Sequence, residues 1–197
     1  MFVVWGILDP MLIGEASSDL APTERALANL QLGLDNEVAD TLLSIIGGLC
    51  FLSIFAGLLL FARSLQAGGA TLAGLASLIF PALIAIAIAG FGISIEASSL
   101  LSEGHSANAA ALEVASSGLF GAVPMFWGLS TLLLGLAITR EEGSAPAIIG
   151  WLLALAGIGM FSGMFIDIGN TPIGMVIWLG MSLVIVATGV VTLRKAN

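Results

Sequence analysis

The stretch Pro146–Lys195, PAIIGWLLALAGIGMFSGMFIDIGNTPIGMVIWLGMSLVIVATGVVTLRK, decides the fold class of this chain. It contains two charge-free runs, Ala147–Ile166 and Ile173–Leu193. Each has about the twenty residues that a helix rising about 1.5 Å per residue needs to cross about 30 Å of hydrocarbon. The polar corner between them, DIGNTP at residues 167–172, is too short to be a folded domain. The stretch therefore predicts two antiparallel membrane-spanning helices.

The composition extends this class to the whole chain. Apolar residues make up 58% of the 197 residues and charged residues 9%, against roughly 25% charged residues in a soluble domain. The formal net charge is −8, and no stripe of basic residues is present that could neutralise nucleic-acid phosphates. The composition predicts an integral membrane protein that has the lipid bilayer as a partner and does not bind nucleic acid.

Residues 1–40 are predicted to form an N-terminal segment outside the membrane. Met1–Leu8 is apolar but too short to span, and two interpretations stay open: a segment anchored in the interface by Trp5, or the end of a spanning helix whose beginning is missing. From Pro22 the pattern predicts a short amphipathic helix on the membrane or on the bundle. Its apolar stripe consists of Leu27, Leu30, Leu34 and Val38.

Residues 41–195 are predicted to form a transmembrane domain of five spans. The predicted spans are about 41–62, 70–95, 114–139, 147–166 and 173–193. Pro81 lies in the second span and predicts a kink there, because proline lacks a backbone N–H. The polar residues 96–113 predict an external segment between the second and third spans. The predicted fold class is all-α, a polytopic transmembrane helical bundle with an N-terminal amphipathic segment.

The basic residues predict the orientation of the bundle. Arg63 follows the first span, Arg140 follows the third, and Arg194 and Lys195 follow the fifth. If five helices alternate in direction, all of these residues lie on one side, and the positive-inside rule assigns that side to the cytoplasm. We therefore expect a multi-pass protein of the cell membrane with its N-terminus outside and its C-terminus in the cytoplasm.

Two runs in the second half of the chain carry a resemblance. FWGLSTLLLGL at residues 126–136 and IGWLLALAGIG at residues 149–159, together with the amphipathic helix and the span that ends in Arg63, resemble a large family of bacterial multi-span membrane proteins that is defined only as a domain of unknown function. The resemblance covers most of the chain and implies a helical bundle without known catalytic residues. Members typically begin with a full spanning helix, which favours a missing start as the interpretation of residues 1–8.

Asp167 is the ionisable residue placed closest to hydrocarbon, and such residues are commonly functional. With Asn170 and Thr171 it is a candidate oxygen-lined cation site at the outer interface, and the alternative is a solvated acid at a helix end. His105 has no second histidine or cysteine ligand nearby, and Cys50 has no basic neighbour. We therefore predict no catalytic, metal-binding or cofactor-binding residues.

Small residues spaced four apart on the predicted spans are candidate helix-packing positions. Such pairs let two backbones approach closely in lipid, either within the bundle or between copies and partners. The pairs are Ser53 with Gly57, Ala70 with Gly74, Ala85 with Ala89, Thr131 with Gly135, and Gly159 with Gly163.

Two functions from different classes are compatible with these patterns. The smooth Gly and Ala faces favour a non-enzymatic accessory or structural subunit of a larger membrane assembly, which works by binding other membrane subunits or itself. The alternative is a small transporter or channel-like protein that moves a solute or an ion past Pro81 and Pro124, whose interruptions of the spans are its main support.

Overall fold

The structure, a computed structural model, describes residues 8, 11–142, 145–163, 165 and 172–196. The described residues are helices and turns, and no strand occurs among them. The predicted all-α class is therefore confirmed. The helices are α1 (Pro22–Asp35), α2 (Glu37–Ser64), α3 (Ala70–Ser102), α4 (Ser106–Arg140), α5 (Ala147–Ser162) and α6 (Pro172–Ala196).

Three of these helices are long and apolar enough to cross a membrane. They are α2, α3 and α4, with 28, 33 and 35 residues, and they contain the first three predicted spans. The helix α5 has 16 residues, and the apolar stretch Val176–Val191 of α6 is similarly short within the part of the chain that the structure describes. A helical bundle with three candidate spans is thus confirmed, and the fourth and fifth spans stay predictions.

The polar segment 96–113, predicted to separate two spans, is mostly helical. The helix α3 continues to Ser102 and α4 begins at Ser106, so three residues connect them. At about 1.5 Å per residue these helices are about 50 Å long, whereas the hydrocarbon layer is about 30 Å thick. The apolar run marks the part of each helix that suits hydrocarbon, and Ala, Leu, Ser and Glu residues continue the helix beyond it.

The connection between α3 and α4 is a Schellman motif. Gly104 has φ of 86°, a left-handed conformation that glycine adopts without strain. The N–H of Gly104 donates to the Leu101 carbonyl at 3.0 Å, and the N–H of His105 donates to the Leu100 carbonyl at 2.8 Å. These bonds satisfy carbonyl groups at the end of α3. The His105 carbonyl then accepts from Ala109 at 3.0 Å and begins α4.

The chain divides into two compact units, residues 1–53 with 84–121 and residues 54–83 with 122–197. In the first unit, Leu30 of α1 packs with Ala97 of α3 and Ala109 of α4. The amphipathic helix therefore lies on the bundle. The last residue of its predicted apolar stripe, Val38, is a correction. The helix ends before Asn36, and Val38 belongs to α2, where its side chain is 75% exposed.

In the second unit, α4 and α5 approach closely through glycines. A Cβ added to Gly128 would lie 2.7 Å from the Gly157 carbonyl oxygen, and one added to Gly135 would lie 2.6 Å from the Gly150 carbonyl oxygen. Real Cβ atoms almost never come this near to backbone atoms. The two helices are thus antiparallel neighbours whose contact depends on glycine at these four positions.

Candidate functional site

The first unit contains a cavity of about 590 Å³ lined by residues from α1, α2, α3, α4 and the segment 13–15. Three carboxyl groups line it, those of Glu15, Asp40 and Glu113. No Lys, Arg or His is among the described residues that line it. The described lining is thus acidic and has no basic partner, which suits a cation better than an anion.

The polar lining of this cavity comes from pairs of side chains one helical turn apart. Residues four apart lie on the same face of a helix, so each pair presents two polar groups to the cavity. The pairs are Asp40 with Ser44 on α2, Ser94 with Ser98 on α3, and Glu113 with Ser117 on α4.

Hydrogen bonds from serines hold α3 and α4 together at the cavity. Ser94 Oγ donates to Glu113 Oε2 at 2.8 Å. One turn further along α4, the buried Ser116 Oγ donates to the Gly90 carbonyl at 3.0 Å. Glu113 is thereby held in position in the wall of the cavity.

Aromatic rings close the apolar end of the cavity. The rings of Phe91 and Phe120 both line it, and their centroids lie 5.2 Å apart at an interplanar angle of 73°. Phe51 packs edge-on against Phe91 at 6.2 Å. A Cβ added to Gly90 would lie 2.7 Å from the Phe120 ring, so the glycine leaves room for that ring.

A second, more apolar groove of about 820 Å³ adjoins this cavity between α2 and α3. Its apolar lining includes Ile45, Leu49, Leu52 and Ile88. Six residues line both the cavity and the groove, so the two spaces lie directly next to each other. The shared residues are Gly33, Asp40, Ser44, Phe91, Ile95 and Ser98.

A separate polar arrangement joins α4 to the beginning of α3 in the second unit. Glu141 Oε1 accepts hydrogen bonds from the N–H groups of Gln66 and Ala67, each at 2.9 Å. Glu141 Oε2 accepts from Gly69 at 2.9 Å and from Ala67 at 3.1 Å. The carboxylate thus satisfies N–H groups that precede α3 and complements the positive end of its dipole. Its role is structural.

The residues predicted as a cation or interface site, Asp167, Asn170 and Thr171, lie outside the described residues. The structure therefore leaves this prediction as it stands. Within the described ranges, no group of three or more His, Cys, Asp or Glu side chains could hold a metal ion. His105 is exposed, at the connection between α3 and α4.

The predicted packing residues fall in different surroundings. Ser53 and Gly57 are exposed, and nothing lies within 4 Å of a Cβ added to Gly57. A Cβ added to Gly159 would lie 3.1 Å from Ile177 of α6. Gly163 caps the end of α5, and the nearest atoms to its added Cβ are carbonyl oxygens of Met160 and Gly159.

The sequence patterns did not identify Asp40 or Glu113, two of the three acids in the wall of the cavity, as site residues. In the sequence, Asp40 directly precedes the first predicted span, and Glu113 belongs to the predicted external polar segment. The available signal was the spacing: an acid followed by a serine four residues later occurs in both places, and Ser94 with Ser98 lies between them in the chain.

Comparison with protein-family models, with curated proteins and with solved structures gives no match to this chain. The resemblance to a bacterial multi-span family therefore stays a prediction. What the protein does has to be inferred from its own geometry, from the two spaces in the first unit and from the glycine surfaces of its long helices.

Proposed function

We propose that the protein is a multi-pass membrane protein that acts as a non-enzymatic accessory or structural subunit of a larger membrane assembly. The observation that carries this is a set of open glycines on the long helices. No atom of a described residue lies within 4 Å of a Cβ added at these positions. They include Gly57 on α2, Gly74 on α3, and Gly118 and Gly121 on α4.

Open glycines in a spanning helix need an offsetting contact. Glycine costs about 1 kcal/mol relative to alanine inside a helix. At Gly128 and Gly135 the close approach of α5 offsets this cost. At Gly57 and Gly74 no residue that the structure describes supplies such a neighbour. A helix from another subunit or from a second copy would supply it, and Ser53 one turn before Gly57 widens the same smooth face.

The substitution Gly57→Leu tests this role. We expect the variant to fold normally, because the position is open, but to lose its partner, because a leucine keeps the neighbouring backbone at a distance. The measurement is the amount of stoichiometric partner, or of second copy, that co-purifies from native membranes in mild detergent. Gly57→Ala is the control and keeps the partner. A wild-type protein that purifies alone, or a Gly57→Leu variant that keeps its partner, contradicts the proposal.

For the orientation we propose an external N-terminus and a cytoplasmic C-terminus. The Glu141 bonds to residues 66–69 support one part of this, because they place the ends of α2 and α4, with Arg63 and Arg140, next to each other. Single cysteines at Ser102 and at Ser144, in a Cys50→Ser background, should react with an impermeant maleimide from opposite sides of sealed cells. Reaction of both from the same side is the result that rejects this topology.

A second candidate function, a small transporter of a solute or an ion, is favoured by the acidic cavity. Carboxyl groups from α2 and α4 line one space with serine hydroxyls from α3, as a site for a cation requires. Cation flux into proteoliposomes that is lost in Glu113→Gln, while the variant still folds, would favour this function over the subunit role.

A further inference from the structure

We propose that the first unit binds a single-chain amphiphile with a cationic amine head, whose head occupies the acidic cavity and whose chain occupies the adjoining groove. Such a site goes beyond the role as a subunit, because it concerns one molecule held inside the first unit. It is also separate from the open glycines Gly57 and Gly74, which line neither space.

The side chains shared by the two spaces carry the first step. Asp40 and Ser44 on α2 and Ser98 on α3 line both of them. A ligand that fills both therefore passes the polar side chains at their boundary. Its polar part lies towards Glu113, and its apolar part lies towards Leu49 and Leu52.

The charge of the cavity selects the head group. Asp40, Glu113 and Glu15 line it without a basic side chain among the described lining residues. An ammonium group donates charge-assisted hydrogen bonds to carboxylates and accepts no hydrogen bond itself. A phosphate or carboxylate head would face like charges, so anionic lipids are disfavoured.

The groove selects a single apolar chain. It follows α2 from Thr41 to Leu52, a distance of about 16 Å at about 1.5 Å per residue. Gly48 and Gly92 keep it open: a Cβ added to Gly48 would lie 3.8 Å from the Phe91 ring, and nothing lies within 4 Å of one added to Gly92. A larger side chain at Gly92 would therefore enter the groove without disturbing the packing around it.

Calorimetric titration of the full-length protein in phosphatidylcholine nanodiscs tests this site, with partition into empty nanodiscs subtracted. The probe is dodecylamine. Three control compounds distinguish the contributions of its ammonium head and its alkyl chain. Propylamine has the head with a short chain, dodecanol has the long chain without the charge, and dodecanoate has a long chain with the opposite charge. We expect saturable binding of dodecylamine and much weaker binding of the other three.

Matched variants assign the two ends of the ligand. Because charge-assisted hydrogen bonds are lost, Asp40→Asn and Glu113→Gln should each weaken dodecylamine binding by about tenfold. Glu96→Gln, an exposed acid on α3 that lines neither space, should leave it unchanged. Gly92→Leu should weaken binding by blocking the groove, whereas Gly189→Leu, at an equally open glycine on α6, should not.

Three results would overturn the assignment. Equal binding of dodecanol and dodecanoate would show a general apolar surface. Binding of propylamine as tight as that of dodecylamine and unaffected by Gly92→Leu would show a small-cation site without a chain. Absence of saturable dodecylamine binding would remove the site altogether. If Glu113→Gln fails to unfold cooperatively, Asp40→Asn tests the head group alone.

Discussion

Replacing Gly135 by alanine is expected to destabilise the protein by about 2–3 kcal/mol, a typical cost of overpacking. The added Cβ would lie 2.6 Å from the Gly150 carbonyl oxygen and closer still to the Ala154 backbone nitrogen. Both are backbone atoms of α5, so a side-chain rotation cannot relieve the contact, and the two helices must separate. The free energy of unfolding, measured by denaturant titration in detergent micelles and followed by circular dichroism, checks this.

The matched control is Gly121→Ala on the same helix. Nothing lies within 4 Å of a Cβ added there, and the alanine is expected to be neutral or to stabilise the protein by up to about 1 kcal/mol through its helix propensity. A free energy of unfolding that falls in Gly135→Ala but not in Gly121→Ala supports the close contact of α4 and α5. Two alanine variants of equal stability would contradict it.

The second large effect is expected at Glu141, where Glu141→Gln should lower Tm by several degrees. Backbone hydrogen bonds from Gly69, Ala67 and Gln66 hold the pKa of this carboxyl below its usual range. Its pKa is therefore higher in the unfolded chain than in the folded protein. The carboxylate stabilises the fold fully above its unfolded pKa of about 4.3, and this contribution is lost as the pH falls from there through the folded pKa.

Thermal unfolding at pH 7 and at a series of values below pH 4.3 measures this contribution. The wild-type Tm should approach that of Glu141→Gln as the pH falls through this range. Glu142→Gln removes the same charge from the neighbouring exposed residue and should change Tm little at any pH. A difference between wild type and Glu141→Gln that stays constant down to the lowest pH would show that the charge is not responsible.

The apolar runs of the sequence predicted the long helices well, because the length of a charge-free run is a direct requirement of the bilayer. They do not define the ends of the helices. Glu96, Ser98 and Glu113 are polar, and polarity suggested an external segment, yet these residues continue α3 and α4 beyond the apolar runs. Hydropathy reports what surrounds a helix, whereas helix propensity and the turn at Gly104 decide where it ends.

The cavity was not predicted, because its wall is assembled from four helices and the segment 13–15, which are distant in the chain. Ser94 and Glu113 are 19 residues apart, and Asp40 belongs to another helix. The four-residue spacing of acids and serines indicates a polar face on each helix, but which faces meet depends on tertiary packing. The same holds for the glycines: Gly128 and Gly135 were expected on one smooth face of the third span, but their contact with Gly157 and Gly150 of α5 was not predicted.

The matched glycines of α4 and α5 also limit how the second unit can move. Gly128 meets Gly157 and Gly135 meets Gly150, so both points of contact must be in register at once. A slide of one helix by a single turn, about 5.4 Å, would bring side chains such as Leu132 or Ala154 against backbone that only glycine allows. Packed helices often switch by sliding one turn along each other, and this pair therefore cannot do so. In any conformational change of the protein, the parts of α4 and α5 that lie in the second unit have to move together as one rigid body.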